Sequence, residues 1–416
     1  MSVASWIERK IRLDMSWLIG NSMWLVAGRV SRMAAGVGIT VLFARLVVAD
    51  IFGQYQLLIS IVTIVSISTL PGFNGSLFRA IARGYDGTVK AVINLSIVFG
   101  MIGVVVLIAA ASYMFVVGQT TIAIGLLASS VLFPFVHIFN RWGNIYNAKE
   151  LFRLGALYSI FMALVLFVGM AIAIILFRDS AVLIFISFLV INGVLNLAIY
   201  LRSLRYLSND RVEQGWKASG HKLMLSHAFG ILYTHADKLV IGYVLGVRAV
   251  AVYVIAISLG DAVKAVLVNG IVVYKSKIFR LDDSSIRHVL HHYVLLMVIL
   301  AFIIVGALWL LIPILVPLIF SDAYVDSIPY AKAYLLIIPF SLMGTALGVI
   351  LIKMKKEYSY FLSSVVSGVV NLVLYLVLIP RMGIMGAVVA SIIFHGIQSV
   401  LRYVMVLDGV PARASK

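Results

Sequence analysis

Two arginines, Arg29 and Arg32, stand inside an otherwise apolar stretch that runs from about Trp17 to Phe43. A spacing of three puts both on one face of a helix. The stretch is long enough to cross a bilayer, which takes about 20 apolar residues. An arginine at the centre of a membrane helix costs roughly 3 kcal/mol on insertion scales, so the pair must face protein or water and not lipid. The guanidinium is planar, permanently charged and forked, which suits the oxygens of a phosphate or diphosphate. The chemistry expected here is the holding of an anion in a wet, cationic interior. The alternative is an internal ion pair with Asp237 or Asp261, the two acidic residues that fall well inside apolar stretches.

Other polar residues join the list. His227 follows Arg29 by 198 positions, and Lys238 lies near enough to the end of its stretch either to line a cavity or to snorkel to an interface. Asp237 and Asp261 are candidates for coupling to a proton or sodium gradient. Asp261 also precedes Lys264 by three residues, the spacing of a local salt bridge. Arg79 and Arg83 mark the inner interface, where an entering head group could meet them. Cysteine is absent, which removes disulfides, thiolate nucleophiles and cysteine-ligated metals together. His288, His291 and His292 cluster in a basic loop at the membrane interface and are read as solvated, so no metal site is expected. Neither GxGxxG nor a P-loop is present, and no catalytic residue or resident cofactor is expected.

The elements that must position these residues are membrane helices. Hydrophobic residues form 63% of the chain, charged residues only 12%, and mean hydropathy is +1.10, whereas soluble domains carry about 25% charged residues. Twelve apolar segments fall near 17–43, 52–76, 91–117, 121–139, 154–177, 180–201, 223–246, 249–273, 289–318, 329–352, 358–379 and 384–405. The period-two alternation of a membrane strand is missing, so the fold class is an all-α integral membrane protein. Most of the 33 lysines and arginines lie on one side of these segments, and the other side holds only Arg45, Arg178, Arg248, Lys332 and Arg381. By the positive-inside rule both termini are cytoplasmic. The same bias, with attraction to anionic lipids, accounts for the net charge of +17 without nucleic acid.

The first residues, 1–16, carry Trp6, Ile7 and Ile11 among charges and read as an interfacial helix and not as a signal peptide. The sequons at Asn74 and Asn94 fall at the inner side or inside a helix, so glycosylation is not expected. The stretch Val47–Ser60 is echoed weakly by Leu245–Ser258, each a helix exit, a short outer turn, a tyrosine (Tyr55, Tyr253) and a new helix. Two halves of six helices, 17–205 and 223–406, then follow, joined by a cytoplasmic linker 206–222 and ending in a tail 407–416. Both halves start from the cytoplasm, which implies a parallel pseudo-twofold along the membrane normal.

Leu42-Phe-Ala-Arg45-Leu46, Phe52-Gly53-Gln-Tyr55, Leu70-Pro-Gly72-Phe and Leu77-Phe-Arg79-Ala-Ile-Ala-Arg83 resemble the opening of Wzx-type polysaccharide (O-antigen) flippases. These belong to the multidrug/oligosaccharidyl-lipid/polysaccharide (MOP) exporter superfamily. Ala236-Asp237-Lys238-Leu-Val-Ile-Gly242 and Val252-Tyr253 are similar to its seventh-helix signature; Ala251 departs from the glycine usual there. The resemblance covers the whole chain. It implies a V-shaped, MATE-like bundle in the bacterial cytoplasmic membrane that moves undecaprenyl-diphosphate-linked oligosaccharide outward by alternating access, with a polysaccharide polymerase and chain-length regulator as candidate partners. A MATE-type multidrug exporter would favour carboxylates over arginines in its cavity. A membrane glycosyltransferase, polymerase or ligase would need a larger outer loop than Phe320–Tyr330.

Overall fold

The computed structural model describes residues 15–279 and 294–408. The histidine cluster at 288–292, nearly all of the expected interfacial helix 1–16 and most of the tail 407–416 lie outside them. Among the described residues no strand occurs. Away from their ends, helices satisfy their backbone groups within the segment, as an apolar solvent demands. In chain order they are α1 (Met15–Leu46), α2 (Ala49–Val65), α3 (Phe73–Ala82), α4 (Thr88–Val116), α5 (Thr120–Phe133), α6 (Trp142–Ala148), α7 (Phe152–Leu176) and α8 (Ala181–Ser203). There follow α9 (Trp216–Leu245), α10 (Val247–Phe279), α11 (Leu295–Ile319), α12 (Ile328–Tyr334), α13 (Ile337–Lys353), α14 (Glu357–Met382) and α15 (Ile384–Leu407).

Ten of these spans are singly long and apolar enough to cross a membrane, and Asp322–Tyr334 with Ile337–Lys353, bent by 42°, form an eleventh. The helix α9 brings the number to twelve. It is 30 residues long but too polar to pass on composition, because Lys217, Asp237 and Lys238 interrupt it. It packs against α2, α3 and α14, so its polar side chains can meet protein instead of lipid.

Several boundaries differ from the sequence expectation for local reasons. The segment 52–76 does not run through: α2 gives way to a tight turn at Ser66–Thr69, and Leu70 takes a left-handed conformation with φ 59°. Pro71 follows, and a proline cannot continue a helix. The segment 121–139 ends in a wider π-type turn over Pro134–Ile138, where the missing proline N–H removes one rung of the helix. The linker is shorter than expected, because α9 starts at Trp216 and not at 223. The repeat, by contrast, keeps its register: α2 begins at Ala49 and α10 at Val247, the 198-residue offset read from the sequence. Tyr55 and Tyr253 are both buried.

The helices before and after the linker meet along one seam. There α2 packs on α9 and α10, and α3 packs on α9. At the end poor in lysine and arginine, a side chain on Gly53 would overlap the Val247 carbonyl. At the basic end, one on Gly72 would overlap the backbone of Met224. Arg45 donates to the carbonyls of Leu318 and Ile319, which lie in the last turn of α11 and have no partner within the helix. The linker is tied down at the basic end. Asp86 meets Lys149 at 2.8 Å and accepts from the Ser208 backbone at 2.7 Å. Burial alone would raise this carboxyl, but Lys149 and Ser208 hold it below the ordinary carboxylate range.

Candidate functional site

The candidate residues are divided between two cavities. The first, of about 290 Å³, is built wholly from the helices before the linker. Its wall starts where α1 lies against α7, an approach so close that a methyl group on Gly28 would come within 3.1 Å of the Ser159 side chain. That closeness lets Arg32 Nη1 donate to Ser159 Oγ at 3.1 Å. Arg29 joins Arg32 in the lining, with Asn74 from α3, Asn140 just before α6, and Asn144 and Asn147 from α6. Among the described residues no carboxylate lines it.

Both arginines are exposed and not sealed within the packed helices, as a cation on a membrane helix requires.

The second cavity, of about 110 Å³, lies among the helices after the linker. Lys238 Nζ is 3.2 Å from Asp237 Oδ1, and Tyr253 Oη donates to Asp237 Oδ2 at 2.8 Å. Lys264 Nζ is 2.6 Å from Asp261 Oδ1, the local bridge that the three-residue spacing predicts, and Tyr334 Oη donates to the same oxygen at 2.8 Å. Tyr233, Tyr375, Asn371, Ser391 and His395 complete the lining. Two carboxylates and two ammonium groups thus neutralise one another in a tyrosine-rich pocket.

This arrangement bears on alternatives that the sequence leaves open. Asp237 and Asp261 do not pair with Arg29 or Arg32, because each already holds a lysine and a tyrosine hydroxyl of its own half. Lys238 does not snorkel; it is buried, its ammonium bonded to the Thr234 carbonyl at 3.1 Å as well as to Asp237. His227 lines neither of these cavities; it is exposed on α9 with Nδ1 3.1 Å from the Leu223 carbonyl of its own helix. Arg79 is exposed near the end of α3, and Arg83 pairs with Glu213 of the linker at 2.6 Å.

Arg141 and Arg402 count in the sequence only among the basic residues on the cytoplasmic side, yet they are 2% and 5% exposed. Arg141 lies under the first cavity and donates to the Thr69 carbonyl at 2.6 Å, Ser96 Oγ at 2.8 Å and Asn74 Oδ1 at 2.9 Å. It caps the carbonyls left over where α2 breaks before Pro71. Arg402 is buried in the other half, where it joins three helices by donating to the Gly344 carbonyl of α13 at 2.7 Å and to Ser364 Oγ of α14 at 2.9 Å.

The family profile of polysaccharide biosynthesis proteins matches residues 18–274. No curated protein matches the chain by sequence. Among solved structures, the lipid II flippase MurJ in an inward closed conformation is similar over 92% of this chain and 87% of its own, with TM-score 0.69 and 14% identity. An inward-facing multidrug resistance MATE transporter of the MOP superfamily is similar over 91% and 93%, with TM-score 0.68 and 13% identity. A MOP superfamily transporter from Pyrococcus furiosus, described as having a binding pocket of reversed polarity, is similar over 95% and 96%, with TM-score 0.62 and 13% identity. The fold is therefore that of MATE and MurJ transporters.

Proposed function

Because this chain belongs to the polysaccharide biosynthesis protein family, we propose that it is a flippase for undecaprenyl-diphosphate-linked oligosaccharide, the lipid-linked repeat unit of a surface polysaccharide. It carries this substrate from the inner to the outer leaflet of the bacterial cytoplasmic membrane by alternating access. One observation carries the reading: Arg29 and Arg32 line a polar cavity that holds no carboxylate among the described residues, a site suited to a diphosphate and not to an organic cation. The lipid tail stays in the bilayer while the head group uses the wet cavity. The fold likeness to a lipid II flippase fits this reading, and the charge-neutral second cavity gives a cation exporter no free carboxylate to work with. Asp237 and Asp261 are the groups through which a proton or sodium gradient would act. Arg79 and Arg83 would meet the entering head group, and anionic lipids, a polymerase and a chain-length regulator are the partners expected.

The test is reconstitution. Proteoliposomes holding the purified protein and a lipid-linked oligosaccharide on one leaflet should expose the sugar to an impermeant lectin on the other, while protein-free vesicles should not. Equal exposure in both preparations would refute the function. The orientation is checked separately. Reporters fused after Arg205 or Met354 should be active only as cytoplasmic reporters, and those after Arg178 or Asp322 only as external ones.

A further inference from the structure

We infer that the first cavity holds a sugar-reading subsite beside the arginine pair, formed by the side-chain amides of Asn74, Asn140, Asn144 and Asn147, which takes the sugar unit attached directly to the diphosphate. The inference rests on the flippase reading of the same cavity and adds what that reading leaves open, namely that the protein tells a glycosylated lipid diphosphate from a bare one.

All four amides line the cavity with Arg29 and Arg32. They come from two places in the chain. Asn140, Asn144 and Asn147 recur at spacings of four and three, which sets them on one side of α6 and the turn before it. Asn74 comes across from α3. Among the described residues, the amide groups of Asn140, Asn144 and Asn147 make no hydrogen bond to protein, and Asn74 uses only its oxygen, toward Arg141. The scaffold does not consume them.

Their chemistry differs from that of the arginines. A guanidinium only donates, and so recognises oxyanions; a carboxamide both donates and accepts, and so matches hydroxyl groups, which do the same. Spacing supports a joint ligand. Arg32 bonds Ser159 of α7 at 3.1 Å, while the Asn147 oxygen lies 3.8 Å from the Cβ position of Gly155, one turn earlier on the same helix. One turn of four residues is about 6 Å, close to the width of a sugar ring. A phosphate held by Arg32 thus places its sugar among the amides, and the volume of about 290 Å³ admits both.

Equilibrium binding to the full-length protein in detergent tests this with two probes, farnesyl diphosphate and farnesyl diphosphate bearing one hexose or N-acetylhexosamine. The wild type should bind at least one glycosylated probe about tenfold or more tightly than the bare diphosphate, as a site built to bond hydroxyls does. Asn144→Ala and Asn140→Ala should each lose about three- to tenfold of affinity for that probe and leave farnesyl diphosphate unchanged. Arg32→Ala should weaken both probes alike. If the wild type binds bare and glycosylated probes equally, or the asparagine variants lose both in parallel, the sugar subsite is refuted while the flippase reading stands. If the wild type binds neither probe, both are refuted.

Discussion

Replacing Asp237 by asparagine should sharply lower the amount of folded protein in the membrane. Lys238 is buried, and its only carboxylate partner among the described residues is Asp237 at 3.2 Å. Removing one member of a buried pair strands the other charge, at about 3 to 5 kcal/mol. The Tyr253 hydroxyl would also exchange a charged acceptor for a neutral one, a weaker bond. The double change Asp237→Asn with Lys238→Met should restore abundance, because it removes both charges. Measuring detergent-extracted monodisperse protein for the three variants settles the matter. Normal yield of the single variant would mean that the ammonium finds water, and the pair would then be a transport element without structural weight. Transport by the restored double variant bears on coupling: loss of gradient dependence with folding intact identifies the Asp237–Lys238 pair as an element the gradient acts through.

The second large effect concerns the arginine pair, and here abundance should not change. Arg29 and Arg32 are exposed, and Ser159, which accepts from Arg32, still bonds the Gly155 carbonyl at 2.9 Å when the guanidinium is gone. Arg32→Ala therefore leaves the Ser159 hydroxyl bonded. Transport should nevertheless fall, since hydrogen bonds to a charged ligand contribute about 1.5 to 3 kcal/mol each, or roughly ten- to a hundredfold in the rate of a diphosphate carrier below saturation. Lysine keeps the charge and loses the fork, so Arg32→Lys should fall between wild type and Arg32→Ala. The readout is lectin-accessible sugar in proteoliposomes matched for protein content. Alanine variants with full transport would sink the assignment of these residues to the substrate.

The apolar segments were legible because length and hydropathy set them, and without the alternation of a membrane strand a helix is what remains to satisfy the backbone in a bilayer. The Asp261–Lys264 bridge was legible for a similar reason, since three residues on a helix are neighbours whatever surrounds them. The Asp237–Lys238 pair was not. Adjacent residues on a helix point about 100° apart, and only the long lysine stem, confined by neighbouring helices, turns its ammonium back to the carboxylate before it. Arg141 and Arg402 escaped notice because a count of charges by position does not separate a solvated guanidinium from one spent on backbone carbonyls. The break at Leu70–Pro71 was the available signal: a helix that stops leaves acceptors behind, and a nearby arginine is a fitting donor. The asparagines at 140, 144 and 147 stand at helical spacing in the sequence, but an amide is common on any helix face and gains a meaning only when the cavity gathers several of them.

The two glycine crossings described for the fold constrain how this machine can move. At Gly53 against Val247, and again at Gly72 against Met224, backbone meets backbone with no side chain between to deform. The 198-residue counterpart of Gly53 is Ala251, so the first crossing is tight on one side only. Neither contact can be relieved by turning a side chain, so parting the two halves at either point means drawing backbone from backbone. The helix that carries the arginines leans chiefly on α7 but is tethered across the seam as well, through its contact with α10 and the Arg45 bonds to the end of α11.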